Sequence, residues 1–301
     1  MIRKLLLGLL LLAPLAVYPF LRDTGASNPG PDVPLRPSPL TQDEQLAIAC
    51  FSLMPGQSFP AVLPWRPLYD LSEQRSKKLE DLAKNKPVEF LEYCLARYEK
   101  EVHSYRVIFI KHEKVNEKMR PKEKIRVHFS EKPFSVHFNW IEGRGKALRT
   151  LYVEGENDGN LLARPFFDKF PIMTARPDGA EAMSTSRFPV TEFGIYKGAK
   201  STLTAIHEAQ SKKTLHLKYE GIHRLEQVGG RLCYKLVRTP YDPPEEKESL
   251  NELTIFIDQE TLMQVGSILK DTEGKLIAEY FFRDVQVNPT FDAKQFTDKA
   301  L

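Results

Sequence analysis

The amino-acid sequence predicts an α+β protein built on a large, curled and mostly antiparallel β-sheet of about nine or ten strands. We expect this sheet to form a half-open barrel packed on helices. Segments that alternate apolar and polar residues follow one another from residue 104 to residue 287. Such alternation is typical of antiparallel strands with one buried and one solvated face. Helices and strands do not alternate as parallel βαβ units require.

The N-terminal segment that precedes this domain indicates export. Residues 1–21 begin with the basic Arg3 and Lys4 and continue as an uncharged, leucine-rich run from Leu5 to Leu21. This pattern is typical of a signal peptide or a signal anchor, and no clean cleavage motif decides between the two. The run is near the lower length limit for a membrane-spanning helix. We therefore expect a cell-envelope protein, anchored in the inner membrane and facing the periplasm, or released to the periplasm if the signal is cleaved.

Two segments separate this membrane segment from the main domain. Residues 22–40 are rich in proline and are predicted to be a disordered linker. Residues 41–86 are predicted to be a helical N-terminal extension, because Thr41 and Glu44 have the spacing of a capping box. The β domain is then expected over residues 87–297.

Helices are predicted at two further places. One begins at Pro87 and carries an apolar stripe at helical spacing, which needs a partner surface. The stripe consists of Phe90, Leu91, Cys94, Leu95 and Tyr98. A second helical segment is expected over residues 191–209, between two runs of strands. The predicted strands are residues 104–115, 122–130, 133–142, 147–154, 213–228, 231–239, 252–257, 262–270 and 275–287.

The strand over residues 133–142 gives the best candidate for a binding site. Its apolar face consists of Phe134, Val136, Phe138 and Trp140, and the helix carrying Phe90 and Cys94 is expected to cover it. Two interpretations follow: an ordinary core filled by the helix, or a partly unfilled cavity for an acyl chain. In an irregular stretch further along the chain, Arg176 and Arg187 are the candidates for the cavity mouth.

Four blocks of sequence, in the same order, resemble a bacterial family known as domain of unknown function 1571. The blocks are a "KPFSV–W" strand at Lys132–Trp140, a "YVEGxN" hairpin at Tyr152–Asn157, a "PDGxxAM…SRxPxTExG" segment at Pro177–Gly194, and an "IDxET…EYxxRDVxxNPxF" meander at Ile257–Phe291. The resemblance covers residues 85–297. It implies similarity to the lipoprotein-carrier fold of LolA, LolB and RseB, a half-open antiparallel barrel closed by helices around an apolar cavity. It implies no catalytic residue.

The sequence contains none of the common catalytic, zinc-binding or phosphate-binding motifs. There is no nucleophile elbow, no zinc-binding H-E-x-x-H and no phosphate-binding loop. His128 and His137 lie on neighbouring predicted strands and could face each other on the solvated side, but a metal needs further ligands. We therefore expect no catalytic residues, no metal and no cofactor.

Composition and cysteine content exclude other classes of protein. Hydrophobic residues make up 42% and charged residues 28%, as in an ordinary globular protein. The net charge of +3 gives no reason to expect a nucleic-acid partner. The 3 cysteines, Cys50, Cys94 and Cys233, are too few for a disulfide framework. We expect Cys94 and Cys233 to be buried thiols.

Together these features predict a membrane-tethered, non-catalytic envelope protein. Its expected ligand is a lipid or the acyl chain of a lipoprotein, held between the sheet and a helix. The basic stretch over residues 111–126 could also contact anionic headgroups. The first alternative is a protein-interaction or envelope-sensing module with a filled core and an envelope protein as partner. The second is a hydrolase with an unfamiliar site.

Overall fold

The computed structural model describes most of the chain from residue 68 onward. The predicted membrane segment, the linker and the first part of the N-terminal extension lie outside the described residues. Among the helices that are described, none is both long and apolar enough to cross a membrane. The described residues are 68–143, 145, 147–166, 170–244 and 249–301.

Two consecutive helices lead into the sheet. They are α1, Leu68–Asn85, and α2, Pro87–Glu101. Proline suits the first turn of α2, because the N–H group that it lacks would have no helical partner there. The predicted apolar stripe of α2 is buried at Phe90, Leu91, Cys94 and Tyr98.

The sheet contains twelve strands among the described residues, and every pair in it is antiparallel. Two helices, α3 (Ala180–Met183) and α4 (Ile195–Ser211), lie between β7 and β8 in the chain. The strands are β1 (Ser104–Val115), β2 (Lys118–Met119), β3 (Glu123–Ser130), β4 (Ser135–Glu142), β5 (Ala147–Val153), β6 (Leu161–Pro165), β7 (Met173–Ala175), β8 (Leu217–Leu225), β9 (Arg231–Arg238), β10 (Leu250–Asp258), β11 (Gln264–Asp271) and β12 (Leu276–Val287).

The strand order confirms a large, unclosed antiparallel sheet in an α+β fold. The order is β7-β6-β5-β4-β3-β1-β12-β11-β10-β9-β8, with β2 paired to β1. Two meanders therefore meet where β1 lies beside β12, and the edges β7 and β8 do not pair with each other. The predicted number of nine or ten strands is too low. The strands that were missed, β2, β6 and β7, are too short for a period of two to stand out.

The apolar positions of β3 and β4 share the face on which the helices pack, called the inner face here. Val127 lies opposite Phe138, and Ile125 lies opposite Trp140. Helix α4 is fixed over this face at its first residue, where the Ile195 N–H donates a 3.2 Å hydrogen bond to the hydroxyl of Tyr105 on β1. The inner face is therefore the dry side predicted from the alternation.

The opposite face of β3–β6 is only partly exposed to solvent. The sequence had predicted that this whole face would be solvated, and that expectation is wrong. The C-terminal segment over residues 288–301 covers part of it. The ring of Phe291 lies 5.5 Å from that of His128, and the Gln295 amide Nε2 lies 2.6 Å from His137 Nδ1. The main-chain oxygen of Leu301 accepts a 3.0 Å hydrogen bond from Arg149. No alternating pattern in this segment indicated that it packs on the sheet.

Both cysteines in the described part of the chain are buried, free thiols. Burial raises the pKa of Cys94 and of Cys233 to about 12. A thiol with such a pKa stays protonated and is a poor nucleophile at neutral pH. The interpretation of both residues as small buried hydrophobic groups agrees with this placement.

Candidate ligand-binding site

A cavity of about 760 Å³ lies on the inner face beside α4. Both halves of the sheet contribute to its walls, through Phe138 and Leu161 on one side and Leu253 and Leu269 on the other. Side chains so distant in strand order can share one cavity only if the sheet bends around it. The helix and the segment before it supply the remaining wall.

Strand β4 runs from a filled part of the inner face to an open part. At its beginning Val136 is fully buried, and the preceding Phe134 packs against Phe129 with a 5.4 Å centroid separation. At its end Phe138 and Trp140 are only partly buried and line the cavity. The two interpretations of this apolar stripe thus apply to different halves of the same strand.

Aromatic rings form much of the cavity wall. Phe193, in the segment leading into α4, meets Phe138 edge-on at 4.9 Å and Phe109 edge-on at 5.2 Å. Phe109 also stacks on Phe282 at 5.0 Å. Edge-on and stacked contacts of this kind hold rings in fixed orientations. These rings therefore form an apolar part of the wall.

Three charged side chains are buried at the same cavity: Lys111 (8% exposed), Glu113 (2%) and Glu123 (5%). The Lys111 ammonium donates to Glu113 Oε1 at 3.0 Å and lies 3.7 Å from Glu123 Oε1. It also donates to the main-chain oxygen of Thr185 at 3.3 Å. Buried charges are tolerated when they are paired and hydrogen-bonded in this way.

The two carboxylates also orient aromatic residues of the cavity. The Trp140 indole N–H donates to Glu123 Oε2 at 2.6 Å, and the Tyr280 hydroxyl donates to Glu113 Oε2 at 2.6 Å. Each aromatic ring thereby has its polar atom satisfied. Both rings line the cavity, so an apolar ligand there can contact them.

The opening of the cavity is bordered by apolar side chains that face solvent. Met173 and Phe188 line the cavity and are about half exposed. Arg187, one of the two residues predicted for the mouth, also lines the cavity, and its backbone N–H donates to Glu113 Oε1 at 3.4 Å.

Several predicted site residues lie elsewhere. Phe134 and Val136 belong to the filled core, because the start of α4 packs over them. Phe90 and Cys94 lie in a separate cluster against β9–β11, with Phe90 meeting Tyr234 edge-on at 5.0 Å. The covering helix over the cavity is therefore α4 and not α2.

Arg176 does not contribute to the cavity either. Its guanidinium is exposed and forms two hydrogen bonds to Asp178, of 3.1 and 2.9 Å. The structure thus brings Phe138, Trp140 and Arg187 together, out of the residues expected to form one site.

The buried charges were missed, although the sequence contains a signal for them. On β1 the inner positions are Tyr105, Val107 and Phe109, and the alternation then continues through Lys111 and Glu113. A charge at a core-facing position of an alternating strand is rare unless it is paired or functional. Lys111 and Glu113 continue the inward-facing alternation of β1, so the sequence alone could have predicted a buried ion pair there.

The two histidines considered as metal ligands face each other on the outer face, with ring centroids 5.7 Å apart. Burial, and for His128 also the neighbouring His137, lowers both pKa values from 6.5 to about 4. The rings are therefore neutral at pH 7. Among the described residues, no group of three or more His, Cys, Asp or Glu side chains is placed to hold a metal ion.

These lowered pKa values predict that acid destabilises the fold. Between pH 6.5 and pH 4 the unfolded chain binds protons that folded His128 and His137 do not, so stability falls as the pH falls. The loss is up to about 1.4 kcal/mol per pH unit for each histidine. Urea unfolding at pH 7, 6 and 5 measures it, and His128→Gln should reduce the slope. If the stability of this variant fell with pH as steeply as that of the unaltered chain, His128 would not be a source of the acid destabilisation.

Comparisons with known proteins identify a family. The model of the family described as "Protein of unknown function (DUF1571)" matches residues 102–300. No curated protein sequence matches the chain.

Several solved structures are similar to the described fold, at low sequence identity. MucB, from the Pseudomonas aeruginosa MucA/MucB complex, has 16% identity and a TM-score of 0.41, covering 71% of this chain and 62% of MucB. Lipoprotein LppX of Mycobacterium tuberculosis has 15% identity and a TM-score of 0.39, covering 69% and 99%. A LolA-superfamily protein of Nitrosomonas europaea has 9% identity and a TM-score of 0.30, covering 70% and 98%. At such TM-scores the likeness carries no inference about ligand or partner.

Proposed function

The chain belongs to the DUF1571 family, and we propose that it is a non-catalytic envelope protein that binds the acyl chain of a lipid or lipoprotein in the cavity beside α4. The cavity itself is the observation that carries this proposal. Its volume of about 760 Å³ lies within the range of roughly 300–1,000 Å³ that is usual for small-molecule sites. Its walls are mostly apolar, with a few fixed polar groups, as such sites require.

The energetics of the inner face support a ligand. Apolar surface that packs against nothing forfeits dispersion contacts. Around Phe129 and Val136 the protein fills its own interior, whereas around Phe138 and Trp140, which are only partly buried, it does not. An acyl chain would supply the missing contacts, at about 0.8 kcal/mol for each buried CH₂ group. The open half of the face therefore favours ligand binding over an interaction module with a filled core.

The proposed setting is the membrane surface. In this proposal residues 1–21 anchor the chain or export it, residues 22–40 act as a spacer, and residues 41–86 lead into the binding domain over residues 87–297. A proline-rich spacer is extended and semi-rigid, so it would hold the cavity close to its source of lipid. The apolar run of residues 5–21 and the prolines of residues 22–40 support this setting.

A substitution that fills the cavity tests the proposal. Ser267 on β11 lines the cavity, opposite Tyr280 on β12. Ser267→Phe places a ring in the space that the acyl chain would occupy. In a titration of the full chain with the neutral, apolar fluorophore 1-N-phenylnaphthylamine, we expect this variant to lower the affinity at least about tenfold, equivalent to about 1.4 kcal/mol.

Ser211→Phe is the matched control, because Ser211 is exposed at the end of α4 and does not line the cavity. Its affinity for the fluorophore should equal that of the unaltered chain. Failure of the unaltered chain to bind the fluorophore, or equal binding by Ser267→Phe, would refute the proposed function.

A further inference from the structure

We propose, building on the proposed function, that the cavity selects amphiphiles with an anionic head, a carboxylate or a phosphate, and that Arg120 binds this head. The acyl chain would lie against the aromatic wall while the head group meets the guanidinium. The position of Arg120, its lack of a protein partner and the pairing of the nearby carboxylates with other groups support this role.

Arg120 is held at the cavity by the hairpin that joins β1 to β3. Its backbone N–H donates a 2.9 Å hydrogen bond to the main-chain oxygen of Glu113, and its side chain lines the cavity. The turn after β4 packs closely on this hairpin, since a Cβ at Gly143 would collide with the main-chain oxygen of Lys122. A Cβ at Gly145 would lie 3.9 Å from Arg120 Nη2. The guanidinium thus lies beside the segment that follows β4.

The Arg120 side chain forms no hydrogen bond and no ion pair with any other residue of the described ranges, and its Nε is buried. A buried donor without a partner is unfavourable, and more so when the group is charged. Native structures rarely contain such a group unless a ligand, an ion or water satisfies it.

The carboxylates around the hairpin are already engaged by lysines or by cavity donors, which explains why Arg120 has no partner among them. Glu113 and Glu123 are bound by Lys111, Tyr280 and Trp140. The carboxylates nearer the hairpin tip each pair with a different lysine. These pairs are Glu117 with Lys114 at 3.0 Å, Glu142 with Lys124 at 2.9 Å, and Glu279 with Lys122 at 2.7 Å.

The chemistry of the guanidinium selects the class of head group. Its planar, positively charged fork of N–H donors matches the oxygens of a carboxylate or a phosphate. A neutral alcohol or ester cannot compensate that charge. Lys111 cannot serve instead, because its ammonium is already bound by Glu113, Glu123 and Thr185.

Displacement of 1-N-phenylnaphthylamine from the full chain tests this selectivity. Three ligands of equal chain length, palmitate, hexadecyl phosphate and hexadecanol, compete for the cavity, each below its critical micelle concentration. We expect at least one anionic ligand to displace the fluorophore at a concentration about tenfold or more below that needed for hexadecanol. A stronger effect of palmitate identifies a free fatty acid as the ligand class, and a stronger effect of hexadecyl phosphate identifies a phosphate-headed lipid.

Arg120→Gln keeps a polar side chain and removes the charge. In this variant we expect the anionic ligands to lose their advantage over hexadecanol, with each displacement referred to the variant's own affinity for the fluorophore. Arg283→Gln is the control, because Arg283 is partly exposed, pairs with Asp284 at 3.4 Å and does not line the cavity. It should retain the full preference.

The outcomes separate this inference from the proposed function. Equal displacement by anionic and neutral ligands, or an undiminished preference in Arg120→Gln, would overturn the role of Arg120 and leave the cavity as a binding site. Absence of fluorophore binding by the unaltered chain would overturn both.

Discussion

Lys111→Met is expected to lower the free energy of unfolding by about 3–5 kcal/mol, because it leaves two carboxylates buried without their cation. Glu113 and Glu123 are 2% and 5% exposed, so little water can reach them to replace the ammonium. The methionine preserves most of the side-chain volume, so the loss reports on charge and not on packing. Equilibrium unfolding in urea, followed by circular dichroism, measures the change.

Lys86→Met is the matched control for this prediction. Lys86 pairs with Glu89 at 2.9 Å, but the two side chains are 61% and 54% exposed. Exposed pairs contribute about 0–1 kcal/mol, so the control should change stability by less than about 1 kcal/mol. Equal, small effects of both substitutions would mean that the Lys111 cluster is not a buried ion network.

Phe129→Ala is expected to cost a similar amount, about 3–5 kcal/mol, since it opens a void in the filled part of the inner face. Phe129 is fully buried, stacks on Tyr105 at 4.5 Å and meets Phe134 edge-on at 5.4 Å. The start of α4 lies against the same ring, because a Cβ at Gly194 would be 3.3 Å from it. The shift of the urea midpoint reports the loss.

Phe188→Ala makes the same chemical change at the mouth of the cavity, where the side chain is 50% exposed. We expect the stability to change by less than about 1 kcal/mol, since little packing is lost. The pair of variants separates the filled half of the inner face from its open half. A large loss in Phe188→Ala, or a small one in Phe129→Ala, would contradict that division.

Local periodicity predicted most of the regular structure. The alternation of Ile125, Val127 and Phe129 set the inner face of β3, and the stripe from Phe90 to Tyr98 set the buried side of α2. These patterns report burial of one face by any partner. The patterns do not show which element covers that face. For this reason α2 was expected to cover β4, whereas α4 does.

The state of the cavity depends on contacts between residues far apart in the chain. Helix α4 is positioned by the hydrogen bond from Ile195 to Tyr105, which are 90 positions apart. Whether the inner face is filled depends on where that helix starts, and no periodic pattern encodes this. The partner of Lys111 on β3, Glu123, and the covering of His137 by Gln295 likewise follow from tertiary packing.

Acyl-chain binding in the cavity beside α4 is tested most directly by identifying the lipid that the full chain carries when it is purified from cells. Organic extraction followed by quantitative mass spectrometry should recover close to one acyl-chain lipid per chain, and much less from Ser267→Phe than from Ser211→Phe. Recovery of no lipid from the unaltered chain, or of equal amounts from both variants, would contradict a binding cavity beside α4.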